Sequence, residues 1–127
     1  MTSTLSRGSG GQKILNLFLI SFISYMNPGA QRIAIAKALG LKDVRMSWHW
    51  QHGDRLVHGN DTLVPNYLTD LNAMYEAEKV LTHEQHHHIW VPALECICTR
   101  DRSCMYSTSA SQRAEAFLRT LNLWEEN

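Results

Sequence analysis

The sequence predicts a small α+β fold, in which about four helices pack on a short, largely antiparallel sheet. Three observations predict it. Residues 109–122 carry apolar side chains at helical spacing. Met46, Trp48 and Trp50 alternate with Ser47 and His49, the period of two that marks a strand. Helix start and stop signals frame the stretches near 28–39, 67–81 and 82–91. Amphipathic helices beside a short alternating segment are an α+β pattern.

The most regular segment is the last, SASQRAEAFLRTLNLWEEN. Ala110, Ala114, Phe117, Leu118 and Leu121 fall on one helical stripe. Arg113, Glu115, Arg119 and Asn122 fall off it and are expected on the solvated side. Glu115 and Arg119 stand four apart in the favoured charge order. Ser109 and Gln112 fit a capping box, which satisfies first-turn donors. Phe117, near the middle of the stripe, is the side chain expected to fill most of the gap to the partner surface.

Residues 1–25 read as an extension. The first 13 are Ser/Gly-rich and have little to bury. Residues 14–25, ILNLFLISFISY, are strongly apolar. They are shorter than the roughly 20 residues a membrane-spanning helix needs. Their length suits a signal-peptide core, but the small-residue cleavage pattern is poor. The domain is therefore expected to span 26–127 and to begin near Met26. There Asn27 is a good N-cap, Pro28 suits the first helical position and Gly40 suits the position after the last. Ile33, Ile35, Ala36 and Leu39 give this helix its buried side.

The strand region spans 44–64. His52-Gly53-Asp54 is turn-like, and Arg55 to His58 supply a return strand. Gly59-Asn60-Asp61 is a second turn signal. Pro65-Asn66 opens the next helix, with Leu68, Leu71, Met74 and Tyr75 inward, Leu81 near its end, and Asp70, Glu76, Glu78 and Lys79 in solvent. Thr82 and Gln85 form another capping box. Ile89, Ala93, Cys96 and Ile97 make the inner stripe of that helix, and Pro92 should kink or break it. His83 and His87 lie with Trp90 and Leu94, off the stripe. Residues 103–107 are expected to add a short strand.

Lys plus Arg and Asp plus Glu both number 12, so formal net charge is zero. No global basic field attracts nucleic acid. Trp48, His49 and Trp50 could stack on a base, but only Arg45 and Arg55 are near, so core packing of the tryptophans is favoured. Three cysteines, Cys96, Cys98 and Cys104, argue against a disulfide framework and for free thiols in a cytoplasmic chain.

His83-Glu84-Gln85-His86-His87 matches H-E-x-x-H. That spacing can put two imidazoles one turn apart to bind zinc, with the glutamate as general base. A third ligand is required, and Glu95, Cys96, Cys98 or Cys104 are the choices. The match sits in a first helical turn beside a run of three histidines, which favours exposed side chains over a catalytic pair. Cys96-x-Cys98 is tighter than usual zinc spacing, and buried thiols suit it better. His83, His87, Cys96 and Cys98 remain the candidate metal ligands, with zinc the metal they would take.

Three blocks, MNPGAQRIAIAKALG, VPNYLTDLNAMYEAEKVLTHEQ and SASQRAEAFLRTLNLWEE, together resemble a family of small phage and prophage proteins with a phage ABA sandwich domain. They cover roughly half the chain, in order. The resemblance implies an α/β/α sandwich with no assigned activity, so no catalytic residue is carried over. The histidine cluster, the cysteines and residues 1–25 lie outside the pattern. Two functions follow as expectations. One is a non-enzymatic accessory protein binding a host or phage macromolecule, most simply a protein, in the cytoplasm. The other is a zinc-dependent hydrolase using His83, Glu84 and His87.

Overall fold

A computed structural model describes residues 24–125. The expectations for residues 1–23 lie outside that range. Helix α1 (Pro28–Ala38) leads into strands β1 (Arg45–His49), β2 (Gly53–His58) and β3 (Thr62–Leu63), which form an antiparallel sheet in the order β1-β2-β3. Helix α2 (Leu71–Glu78) follows. Helix α3 starts as one α turn (His83–Gln85), widens into a π segment (His86–Trp90) and continues as α-helix (Val91–Asp101). A 3₁₀ turn (Met105–Ser107) precedes the last helix, α4 (Ala110–Thr120). The predicted α+β class is the observed one.

The caps follow the sequence closely. The Asn27 carboxamide oxygen accepts from the Gly29 and Ala30 amides at 2.8 and 3.2 Å. Both capping boxes form, at Thr82–Gln85 and Ser109–Gln112. Gly40 takes a positive φ of 84° after α1, which frees the Leu41 amide to reach back to the Ala36 carbonyl. Asn122 does the same after α4, with φ 59° and a 2.8 Å bond from the Leu123 amide to the Leu118 carbonyl. Helix α2 is shorter than the predicted 67–81. Asn66 spends its carbonyl and side chain on a local turn with Leu68, Thr69 and Asp70, so Asp70 becomes the N-cap, accepting from Ala73 at 3.1 Å.

Residues 103–107 are not a strand. The Cys104 sulfur accepts from the Tyr106 amide at 3.4 Å, and its carbonyl accepts from Ser107 at 3.0 Å, which closes a 3₁₀ turn. Local partners won over a sheet edge.

Pro92 does not end its helix. It lacks the amide that would bond the His88 carbonyl, and its ring would crowd that carbonyl. The preceding turn widens instead, and the Val91 amide bonds the His86 carbonyl five residues back. The extra residue rotates what precedes it by roughly 100°. Ala93, Cys96 and Ile97 face inward as predicted, but Ile89 is turned out and Trp90 takes its place, with Leu94 also buried.

Helix α4 is the hub. It touches α1, α2 and both halves of α3. Ala110, Ala114, Phe117 and Leu118 are buried, as the stripe predicts, and Leu121 is half-buried. Glu115, Ala116 and Thr120 are buried as well, so the helix is enclosed rather than docked by one face. Thr120 meets its own need by donating to the Ala116 carbonyl at 2.7 Å.

Arg113, Glu115 and Arg119 of α4, and Glu78 of α2, are therefore enclosed and paired, whereas Asp70, Glu76 and Lys79 are exposed as the sequence predicts. Arg113 forms a two-pronged pair with Glu78 at 2.8 and 2.6 Å. Its guanidinium lies 4.7 Å from the ring centres of both Tyr75 and Trp90. Glu115 accepts from Arg100 and, as its spacing predicts, from Arg119 at 2.8 Å. Arg100 also clasps Asp101, and that hydrogen bond draws the Asp101 carboxyl below the usual carboxylate range against the opposing effect of desolvation. Gln112 binds Asp101 and Ser103, which ties the start of α4 to the end of α3.

Phe117 is fully buried, and its truncation to Ala should cost about 3–5 kcal/mol in urea unfolding. Arg113→Ala should cost about as much, because it leaves the Glu78 carboxylate unpaired where only 9% of that side chain is exposed. Lys79→Ala is the harmless comparison, since Lys79 meets only Glu76 at an exposed site and such pairs contribute at most about 1 kcal/mol. Equal small effects for all three would refute the enclosure of α4.

Candidate interaction surface

The hairpin of β1 and β2 turns where the sequence signals it. The His52 amide bonds the His49 carbonyl at 3.2 Å, and Gly53 follows with φ 72°. A tight turn closed by a left-handed glycine fixes the register of the pair. Met46 then stands opposite Leu56, and Trp48 opposite Asp54. Directly paired residues share a face of the sheet.

That face meets the core only in part. Leu56 and the neighbouring Val64 are buried in the main apolar cluster. Met46 and Trp48 project past it, 58% and 70% exposed, and Trp50 in the turn is 73% exposed. The period-two reading of the strand was right, but the tryptophans are not packed in the core. Register holds the reason: a buried Trp48 would carry Asp54 with it, and an unpaired buried carboxylate is costly. This signal was present in the sequence once the turn at Gly53 fixed the pairing.

An open groove of about 560 Å³ adjoins Met46 and runs between Arg32 of α1 and the sheet, past Leu56, Leu63 and Val64. Arg32 donates to the Val64 carbonyl at 3.0 Å, which holds α1 against the end of β3. Strand β1 pairs with β2 alone among the described residues, so its outer edge presents unpaired backbone groups. Arg45 is fully engaged. It bonds Asp43, the Gly59 carbonyl and Asp61, the last at 2.6 Å, and so locks the second turn to the start of β1.

His49 stacks on His52 with ring centres 4.9 Å apart and lies 6.0 Å from Trp50. Its Nδ1 accepts from the Gln51 amide at 3.1 Å, which requires that nitrogen to be unprotonated. Desolvation, with the charges of Arg55 and His52 beside it, holds its pKa below the ordinary histidine value.

The candidate metal ligands fall into two places. His83 and His87 are exposed at the start of α3 with ring centres 4.3 Å apart, as the spacing predicts. His87 lies inside the π segment, so the pair spans a change of helical pitch. Cys96 and Cys98 are buried, and burial, reinforced by Glu95, raises the Cys96 thiol pKa. Among the described residues no group of three or more His, Cys, Asp or Glu side chains comes together to hold a metal ion. Trp90, expected off the inner stripe with His83 and His87, is buried and stacks on His86 at 4.7 Å.

No helix among the described residues is long and apolar enough to cross a membrane. No family model, curated protein or solved structure matches the chain.

Two outcomes are expected here. The double change His83→Ala and His87→Ala should leave a folded protein, each substitution shifting stability by no more than about 0.5 kcal/mol; metal analysis of the parent and the variant reads any bound zinc directly. Lowering the pH should loosen the hairpin turn. Unfolded His49 takes up its proton near pH 6.5, roughly its free value, before the folded residue does. Stability is therefore present above that pH and is lost as pH falls through the lower folded pKa. Amide NMR of Gln51 and His49 through the titration follows it.

Proposed function

We propose that this chain is a non-enzymatic accessory protein of the phage or prophage kind, acting in the host cytoplasm by docking a protein partner on the aromatic edge of its hairpin. The carrying observation is the exposure of Met46, Trp48 and Trp50 on one hairpin. Aromatic residues and Met are enriched at protein interfaces, where a few of them carry most of the binding energy. The unpaired edge of β1 lies beside them, so an extended segment of the partner can add main-chain hydrogen bonds there. The phage setting is supported by the three sequence blocks at 26–40, 64–85 and 109–126.

Local charge favours a protein over a nucleic acid. Arg45 is held by Asp43 and Asp61, and Asp54 shares the face of Trp48. A stacking platform for bases needs a groove lined by several free cations. The one beside Met46 has Arg32, which is bonded to the Val64 carbonyl, and Arg55 next to the Asp54 carboxylate.

The test is the full chain carrying Trp48→Ala and Trp50→Ala. A protein captured by the parent chain is purified, and its affinity for both forms is measured by calorimetry. The double variant should keep its fold and bind at least about tenfold more weakly, which corresponds to ~1.4 kcal/mol. Unchanged affinity, or a captured ligand that proves to be nucleic acid, rejects the proposal.

A further inference from the structure

We infer that a second apolar surface, the groove along α1, is the docking site of this chain's own residues 14–23. The groove has a volume of about 480 Å³. Met26, Ala30, Ile33, Ala34, Ala38 and Leu123 line it, with the exposed Lys37 and Glu125 at its margin. Ala30, Ala34 and Ala38 recur once per helical turn, so along that line of α1 only methyl groups stand between the backbone and whatever lies in the groove. Such a face lets a second segment approach closely.

The occupant is argued from where the chain leads. The Trp124 indole donates to the Ser24 hydroxyl at 3.0 Å, and the Glu125 amide meets the Met26 sulfur at 3.4 Å. These contacts pin the chain at the groove, because Met26, Leu123 and Glu125 all belong to its wall. The ten residues before Ser24 read ILNLFLISFI, eight of them apolar and none charged. They are the most apolar run in the chain, and the chain enters the described structure at Ser24, beside a trough whose wall is mostly apolar. This inference stands apart from the hairpin and does not depend on it.

Hydrogen exchange on the full chain, dilute and without lipid, tests it. Amides between 15 and 23 should exchange about a hundredfold more slowly than in a free peptide. Ala34→Glu, which puts a charge into the trough, should return them to the free rate while the rest of the chain stays protected. Should Ala34→Glu not fold, single cysteines at each position from 15 to 22, paired with Ala34→Cys in a Cys104→Ser chain, are joined with a short bis-maleimide; at least one should cross-link within a single molecule. Four results would overturn the inference. They are free exchange at 15–23, protection indifferent to Ala34→Glu, protection or cross-linking that rises with protein concentration and so marks a second copy, and protection that appears only with lipid vesicles. Cross-links absent at every position would overturn it equally.

Discussion

The enclosure of α4 sets the terms for the rest of the helical layer. A helix buried on nearly every side cannot leave its charges in water, and a desolvated charge without a partner is costly. Arg113, Glu115 and Arg119 are therefore each met by side chains from elsewhere or from the next turn. Glu78 of α2 answers Arg113, Arg100 of α3 answers Glu115, and Arg119 lies 4.6 Å from the Trp124 ring centre. The apolar contacts of Phe117 and Leu118 bring the helices together without direction. The charged pairs add direction, because a two-pronged Arg–carboxylate bond is satisfied in one geometry. Each helix that packs on α4 near a charge is fixed in rotation by it.

This explains which parts of the fold were legible. Three helix starts could be read because caps are local chemistry: Asn27, Thr82 and Ser109 need only their own next turn. Faces were harder. Arg113 and Glu115 look solvated on a helical wheel, since a wheel holds no information on how many neighbours surround a helix. Ile89 and Trp90 exchanged places because one proline inserted a π turn, and a fixed period of 3.6 cannot register that insertion. Pro92 gave warning of a disturbance but not of its form. Tyr75 shows a subtler case: half its surface is open, yet its ring is one side of the Arg113 sandwich.

The hairpin was legible as a hairpin and misread as a core element. Alternation identifies a strand equally well whether the apolar side faces inward or outward. What separates the two is the opposite strand. β2 offers Asp54, Leu56 and His58 on the face shared with Trp48, so a single apolar side chain stands there. Two tryptophans and a methionine exceed what Leu56 and Val64 can cover. The composition of both strands, taken in register, carries the answer that one strand alone does not.

The sheet is anchored to the core by few side chains, and this shapes what the hairpin can do. Leu56 and Val64 belong to the main cluster, Arg32 ties α1 to the Val64 carbonyl, and Arg45 binds the second turn together. None of these contacts uses Met46, Trp48 or Trp50. Substitutions at the three exposed positions thus change the outer surface while the anchoring set stays intact, and surface changes away from buried features shift stability by roughly 0.5 kcal/mol or less. Folding and surface recognition are carried by different residues of the same two strands. A large aromatic residue in such a position adds nothing to the core, and its exposed apolar area gains free energy only when another molecule covers it.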